Sequence, residues 1–428
     1  MFVFFFSFFL FPKAMGETAD GMEVPRLIMS EGDGIMRFIF NPIFSVLDDP
    51  ITHASERARM MKQRLDMQIC TEEKRRQMHN IRCLDLTNGK LLREPFEPEQ
   101  LTSLTSLRLG SNGIKGIHPS TFQTLTSLTY LEMNNNEMTQ VVEELGCLTA
   151  LTALLIHNNN LCSLPASLAT LTNLTTLTLA SNNLTYPPPR QPGLPPSFPD
   201  AWCERLDGLT ALDMSRNRLA QLPPGIWRLR RVRRLIFDRN SLESVEEVGA
   251  PVGEGCAASL EALSLHANRL THLPHSLTRL SALKTLIVSD NMLESLPDTS
   301  KIPTLTLLDA RRNRLTRRGL VGFSTALLRL NLSHNSMQVL PSDILRGLKE
   351  LEEVDLSHNK LAEAPASLGS LSALTCLRLA HNELEHLDFL ERDKRRGPAT
   401  ADATADATAE PRSPHLARSG TAVSLGAL

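Results

Sequence analysis

Leucine and other aliphatic residues recur along the chain in a frame that repeats about every 23 residues. The frame is L-x-x-L-x-L-x-x-N-x-L, and a degenerate first copy begins at Ile81. Twelve further copies begin at Leu104, Leu128, Leu151, Leu174, Leu209, Val232, Leu260, Leu283, Leu305, Leu327, Leu351 and Leu374. Self-similarity at a fixed period is typical of stacked structural units rather than of independent globular domains.

The central L-x-L of each unit alternates with period two, which predicts a short strand. In the second unit, Leu107 and Leu109 would point to one side, and Ser106 and Arg108 to the other. A buried leucine contributes roughly 1.5–3 kcal/mol, but a single unit has nothing to bury it against. The units must therefore stack, and we expect a solenoid with a parallel sheet on its concave side.

The ninth position of the frame is asparagine in twelve units. A side-chain amide both donates and accepts hydrogen bonds, so one asparagine per turn can satisfy the loop backbone of neighbouring units. Aspartate could accept but could not donate. The predicted structural ladder consists of Asn112, Asn136, Asn159, Asn182, Asn217, Asn240, Asn268, Asn291, Asn313, Asn335, Asn359 and Asn382.

This frame resembles the leucine-rich repeat superfamily over residues 81–390. Many units continue as L-P-x-x-L-x-x-L, as at Leu164-Pro165 and Leu273-Pro274, and this ending resembles the intracellular 23-residue class of Scribble-type and Ras-suppressor-like proteins. The resemblance implies an α/β solenoid, a curved horseshoe of about 13 units with a parallel concave β-sheet. It also implies a protein-binding scaffold in intracellular signalling, with a small GTPase or a phosphatase catalytic subunit as a conceivable partner.

The composition divides the chain into four segments. Residues 1–49 are expected to be an apolar start and a flexible segment, and residues 50–80 an amphipathic helical cap that follows Asp49-Pro50. The repeat domain covers 81–390. Residues 391–428 contain the run TADATADATAE and too little apolar content to fold, so we expect a disordered tail.

The cysteines and the amino terminus point to different compartments. Seven cysteines are scattered singly, a poor disulfide framework that favours a cytoplasmic protein. Residues 1–11 read MFVFFFSFFLF, which fits the apolar core of a secretory signal but lacks a preceding basic residue. The alternative is a secreted or membrane-tethered recognition module that uses residues 1–14 as a signal, with glycan acceptors at Asn173, Asn183 and Asn331.

The charge distribution suggests where a partner would bind. The net charge of −2 argues against a nucleic-acid binder, as does the scarcity of stacking aromatic residues. Eight arginines and one acid lie between residues 216 and 239, and a second cluster begins at residue 311. Because arginine suits carboxylate partners, we expect an acidic protein surface to dock there. The candidate partner-binding residues are Arg216, Arg233, Arg234, Arg239, Arg311, Arg312, Asp213 and Asp309.

Catalytic signatures are missing from the sequence. There is no phosphate-binding loop, dinucleotide fingerprint, nucleophile elbow or kinase motif, so we expect neither an enzyme nor a cofactor. His334, His358 and His381 occupy the eighth position of successive units, about one strand spacing apart. A solvent-facing polar residue is the ordinary occupant of that position. A metal site and a pH-sensitive contact are the two functional alternatives.

Overall fold

A computed structural model describes residues 27–29, 35–38, 78–186, 198, 202–223, 225–249, 255–385 and 422–424. Each of the thirteen units contributes one three-residue strand to a continuous parallel sheet. Numbered by unit, the strands are β1 Cys83–Asp85, β2 Ser106–Arg108, β3 Tyr130–Glu132, β4 Ala153–Leu155, β5 Thr176–Thr178, β6 Ala211–Asp213, β7 Arg234–Ile236, β8 Ala262–Ser264, β9 Thr285–Ile287, β10 Leu307–Asp309, β11 Arg329–Asn331, β12 Glu353–Asp355 and β13 Cys376–Arg378.

The sheet is in register because every strand has its aliphatic residue in the middle. Leu84 of β1 aligns with Leu107 of β2, and Val354 of β12 aligns with Leu377 of β13. A shift of one residue would turn each of these side chains out of the core. The fifth unit (174–208) and the seventh unit (232–259) are longer than the others. Their extra residues do not disturb the register, since β6 pairs directly with β5 and β8 with β7. The sheet of the solenoid predicted from the repeat is therefore confirmed.

On the side opposite the sheet, most units contain a short helix, whereas residues 342–347 of the eleventh unit form turns. A period of about 23 residues leaves room for little more than one helical turn, and the turn is often preceded by a proline such as Pro165 or Pro274. Two α-helices lie wholly within the described ranges, α1 Pro119–Thr124 and α2 Trp202–Arg205. The 3₁₀-helices are Pro98–Gln100, Glu143–Cys147, Ala166–Thr170, Ile226–Arg228, Gly255–Ala258, His275–Arg279, Thr299–Lys301, Arg317–Gly319 and Ala366–Ser370.

A single apolar core runs the length of the described repeats, from Met78 to Leu379. Leucines of the frame positions supply it, and Leu104, Leu107 and Leu109 of the second unit are completely buried. The core holds together only through contacts between neighbouring units, as expected for a solenoid.

Each of the twelve asparagines makes the same four hydrogen bonds, two within its own unit and two to the preceding unit. Asn159 donates from Nδ2 to the carbonyl oxygens of Ile156 and His157 in its own unit, at 3.2 and 3.3 Å. It also donates to Met133 O of the preceding unit at 3.0 Å, while its Oδ1 accepts from Met138 N at 3.1 Å. The amide thus joins two consecutive loops whose backbone groups have no strand partner.

The eighth position of every unit has left-handed backbone geometry, with φ between 52° and 64°. We call this line of residues the turn row. Its members are Asn88, Ser111, Asn135, Asn158, Ser181, Arg216, Arg239, Ala267, Asp290, Arg312, His334, His358 and His381. The backbone N–H of a turn-row residue donates to the next unit, as Arg216 N does to Asp238 O at 2.7 Å.

Short strands extend the sheet beyond both ends of the repeats. Ile35–Phe38 pairs parallel with β1, Leu27–Met29 pairs antiparallel with Ile35–Phe38, and Ala422–Ser424 pairs antiparallel with β13. These strands join the sheet at its edges, and they lie in segments 1–49 and 391–428, for which flexibility and disorder stay predictions. An open sheet edge offers unpaired backbone groups to any extended segment. The predicted cap over 50–80 lies almost wholly outside the described residues.

A smaller strand pairing joins the fifth and sixth units. Thr185–Tyr186 and Arg218–Leu219 form a separate two-stranded parallel sheet. Within the described ranges, no helix is long and apolar enough to cross a membrane.

Candidate partner-binding surface

The concave face is lined by the third and fifth positions of each unit, which flank the buried strand residue. In a pleated strand these two positions point to the same side. On β7, for example, Arg234 is exposed, Leu235 is completely buried and Ile236 is partly exposed. The side chains at these two positions therefore decide what the concave face can bind.

The first three strands carry a cluster of paired charged side chains around Arg108. Arg108 of β2 lies between two acids, with Nη1 3.7 Å from Asp85 Oδ2 and Nε 3.8 Å from Glu132 Oε2. Tyr130 donates its hydroxyl hydrogen to Glu132 Oε2 at 3.0 Å. Burial, followed by this hydrogen bond, raises the pKa of Tyr130 to about 12. Two carboxylates surround the single guanidinium, so this cluster leaves no unpaired cation for an acidic partner.

The arginines of units 6 and 7 are different, because only Arg228, Arg230 and Arg233 have an ion pair within the described part of the chain. The five others are Arg216, Arg218, Arg231, Arg234 and Arg239. Arg216 and Arg239 lie on the turn row, and Arg234 lies on β7. We call these three the arginine patch. Arg233, predicted to act with them, instead places Nη1 3.4 Å from Glu261 Oε1, and Glu261 also contacts Lys284 Nζ at 3.0 Å.

The neighbours of Arg234 leave its side chain accessible. In the register of the sheet, Arg234 aligns with Ala211 of β6 on one side and Ala262 of β8 on the other. Neither methyl group can pair with a guanidinium or cover it. One large cation therefore projects between two small residues on the concave face.

The acids closest in sequence to the patch are already used as backbone acceptors. Asp213 Oδ1 accepts from Ser215 N at 2.9 Å. Asp238 Oδ1 accepts from Ser264 Oγ at 2.5 Å and from His266 N at 3.0 Å. Asp213 thus holds the turn after β6, and Asp238 holds β8 and the turn that follows it. Asp213 forms no ion pair with the arginines of the patch in the described part of the chain.

The arginine patch also carries two intrinsic costs. Left-handed backbone is disfavoured for side chains other than glycine, asparagine, aspartate and histidine, which makes Arg216 and Arg239 costly on the turn row. These two residues also occupy adjacent units, with backbones about 4.8 Å apart, so their like charges repel. An anion from outside the described chain would relieve the second cost.

The two arginines predicted to bind a partner in the second cluster are paired within the chain. Arg311 Nε lies 3.6 Å from Asp309 Oδ2, and Arg312 Nη1 lies 3.4 Å from Asp290 Oδ1. Arg317 begins a short 3₁₀-helix outside the strand positions. The structure therefore does not place Arg311, Arg312 and Asp309 in the same unpaired environment as the patch three units away.

Metal and catalytic chemistry find no support in the described ranges. They contain no group of three or more histidine, cysteine, aspartate and glutamate side chains arranged to hold a metal ion. Cys203 and Cys256 are buried, and burial raises the pKa of the Cys256 thiol to about 12. A thiol with that pKa is not the thiolate needed of a nucleophile or ligand.

Comparison with protein families gives a direct match to the repeat. The family model described as a leucine rich repeat matches residues 102–161 and 325–384, near the two ends of the solenoid. The chain belongs to the leucine-rich repeat superfamily. The placement of this leucine-rich repeat chain in the intracellular 23-residue class remains a prediction.

Relatives by sequence share the repeats over part of their own length. Podocan-like protein 1 of Mus musculus is 30% identical over 311 residues, which cover 70% of this chain and 48% of that protein. Keratocan of Mus musculus is 32% identical over 189 residues, covering 42% of this chain and 48% of the relative. Leucine-rich repeat serine/threonine-protein kinase 1 of Mus musculus is 34% identical, but the match covers only 8% of it. The chain thus spans less than half of these relatives.

Solved leucine-rich repeat structures reproduce the fold. A leucine-rich repeat protein of Leptospira interrogans has a TM-score of 0.59 at 26% identity, covering 73% of this chain and 81% of its own. The ectodomain of the Arabidopsis thaliana receptor kinase GASSHO1/SCHENGEN3, in complex with CASPARIAN STRIP INTEGRITY FACTOR 2, has a TM-score of 0.53 at 27% identity, covering 70% and 35%. Leucine-rich repeat proteins mediate protein–protein interaction.

Proposed function

We propose that this chain is a non-catalytic recognition module that binds an acidic protein surface through the arginine patch on its concave face. The observation that carries the proposal is that Arg216, Arg234 and Arg239 have no ion pair in the described chain. Two of them also occupy left-handed positions that arginine does not favour. Arginine forks bind carboxylates in bidentate geometry, which makes an acidic partner the best chemical match.

Ligand-bound relatives support a protein or peptide partner. The GASSHO1/SCHENGEN3 ectodomain was solved with an integrity factor, and the Arabidopsis receptor kinase HAESA with the peptide hormone IDA. HAESA has a TM-score of 0.52 and is 26% identical to this chain. A small GTPase or a phosphatase subunit stays a prediction that rests only on the resemblance to Scribble-type and Ras-suppressor-like proteins.

The location of the module is a second part of the proposal. The likeness to a receptor ectodomain favours the secreted or membrane-tethered alternative, whereas the expected cytoplasmic location has no support among these relatives. Asn173 of the sequon Asn173-Leu174-Thr175 is exposed, but Asn331 lies on β11 and accepts a hydrogen bond from Ser333 Oγ at 2.7 Å. Amino-terminal sequencing of the native protein, with its mobility before and after deglycosylation, separates the two locations.

Neutralising the arginine patch should abolish partner binding without unfolding the chain. The variant combines Arg216→Asn, Arg234→Gln and Arg239→Asn, because asparagine tolerates left-handed backbone better than arginine does. We expect at least tenfold lower partner recovery by affinity capture from native cells, since hydrogen bonds to charged groups contribute about 1.5–3 kcal/mol each. Urea unfolding should show stability equal to that of the wild type, or about 0.5–1 kcal/mol higher.

A matched control removes three arginines elsewhere. Arg314→Gln, Arg317→Gln and Arg318→Gln change the net charge equally but leave the patch intact. Their partner recovery should match the wild type. Equal loss in both variants would mean that only bulk charge matters, and no loss in the patch variant would refute the proposed surface.

A further inference from the structure

Three imidazole rings are stacked along the carboxyl-terminal part of the turn row. The ring centroids of His334 and His358 are 3.9 Å apart with an interplanar angle of 9°. Those of His358 and His381 are 4.1 Å apart at 20°. Among the described residues, the nitrogens of these rings make no hydrogen bond. The column, which we call the histidine stack, therefore presents free nitrogen atoms along one edge of the solenoid.

Arg312 continues the stack in the preceding unit. It lies next to His334 on the turn row and contacts Asp290 through Nη1 at 3.4 Å. Asp355 is the carboxylate whose charge acts on His358, and its Oδ1 accepts from Ser357 N and Oγ at 3.0 and 2.6 Å. The groups that face His358 are thus one acid, one arginine and two histidines.

These surroundings favour the neutral form of His358, the middle ring of the stack. Partial burial and the neighbouring His334 and His381 lower the pKa of His358, with Arg312 acting in the same direction and Asp355 opposing it. Stacking at about 4 Å brings like charges together when neighbouring rings are protonated, and this repulsion resists proton uptake. The neutral form of His358 is therefore favoured at the centre of the column, which ends in one arginine.

We propose that the histidine stack and Arg312 form an acid-activated docking edge for a carboxylate-rich peptide. Protonation converts the column into a row of cations spaced by about one strand separation. Carboxylates placed along that row relieve the repulsion, so a bound acidic peptide raises the pKa of the histidines. By linkage, a ligand that raises these pKa values binds more tightly as the pH falls through them.

Carboxylates fit this edge better than a nucleic-acid backbone does. Asp290 and Asp355 lie along the same edge and would oppose a continuous line of phosphates. Flexible glutamate side chains can reach individual rings without bringing charge close to those aspartates. The histidine stack shares no residue with the arginine patch. The quantity that tests it is the change in peptide affinity between two pH values.

The test compares binding of a fluorescein-labelled oligoglutamate peptide at about pH 7.5 and about pH 5.5, a range in which glutamate stays ionised while histidine titrates. The wild-type chain should bind at least tenfold more tightly at the lower pH, by fluorescence anisotropy. The variant His334→Asn, His358→Asn, His381→Asn should lose this gain and keep its affinity at the higher pH. Asparagine accepts the left-handed backbone, so this variant should fold.

The control variant is His272→Gln, His275→Gln, which removes two exposed histidines outside the turn row. It should keep the full gain at low pH. The same gain in the stack variant would overturn the proposal. So would an equal gain for an oligothymidylate strand, since that would make the edge a general anion site. Repeating the titration in the arginine-patch variant keeps the two proposals separate, because the pH-dependent gain should survive there.

Discussion

Replacing Asn159 by alanine is expected to lower the free energy of unfolding by about 3–4 kcal/mol. The side chain is only 6% exposed, and it makes four hydrogen bonds to two units. Alanine would leave the Met138 N–H unpaired where water has little access. Each of the carbonyl oxygens of Met133, Ile156 and His157 would lose one of its two donors, at about 0.5–1.5 kcal/mol for each lost bond. A buried group without its partner costs about 1–3 kcal/mol, and partial relaxation of the loop reduces the sum.

Two companion variants make this measurement specific. Asn159→Asp keeps the acceptor but sets a carboxylate against three carbonyl oxygens, so it should destabilise at least as much as alanine. Asn160→Ala changes the adjacent, exposed asparagine and should cost less than about 0.5 kcal/mol. Urea unfolding of the three variants measures the change in the free energy of unfolding for each. Equal effects at 159 and 160 would contradict the ladder.

Gly319→Ala should destabilise the chain by about 3 kcal/mol. Gly319 ends the 3₁₀-helix Arg317–Gly319, and its carbonyl accepts from Leu296 N of the preceding unit at 2.8 Å. An added Cβ would overlap the carbonyl oxygen of Glu294 and lie 2.9 Å from Ser295 Cα. These are backbone atoms, so the clash can be relieved only by separating two packed units.

Gly116→Ala is the matched control for this substitution. No atom lies within 4 Å of a Cβ added at Gly116. The change should be neutral, or stabilise by about 0.4–1 kcal/mol through the unfolded chain. Thermal unfolding of both variants compares them directly. A tolerated alanine at 319 would mean that the two units are not in contact as the structure has them.

The architecture could be predicted from the sequence because one pattern specifies it thirteen times. In the second unit, for example, the alternation buries Leu107 and leaves Ser106 and Arg108 partly exposed. This alternation can be read from neighbouring residues alone. The position of Asn112 relative to those leucines then sets the turn. Stacking follows because a unit cannot bury its leucines alone.

The electrostatic details of the surface could not be predicted in the same way. Arg233 and Arg234 are adjacent and chemically identical, yet Arg233 contacts Glu261 while Arg234 lies between two alanines. That difference depends on which residues the register places beside each side chain. The left-handed turn row was also missed, since arginine, alanine and serine at this position give no sequence signal for positive φ.

For the histidine stack, the sequence predicts the positions of the residues but not the geometry of the rings. Its spacing predicts that His334, His358 and His381 are neighbours, since the repeat places them on consecutive units. Whether the rings stack, bind a metal or point apart depends on side-chain rotamers, which the repeat does not encode. A metal site and a pH-sensitive contact are therefore both compatible with the sequence. The proposal of a pH-sensitive contact rests on the stacked geometry of the rings.

The central claim is that a partner binds on the concave face beside the arginine patch. Site-specific photo-cross-linking in native cells tests it most directly, with p-benzoylphenylalanine placed at Ala262, which aligns with Arg234, or at the exposed Ala258 of the 3₁₀-helix on the opposite side. We expect an acidic protein to cross-link at 262 and not at 258, and to disappear when the patch is neutralised. Cross-linking only at 258, or an adduct at 262 that survives loss of the patch, would contradict the account.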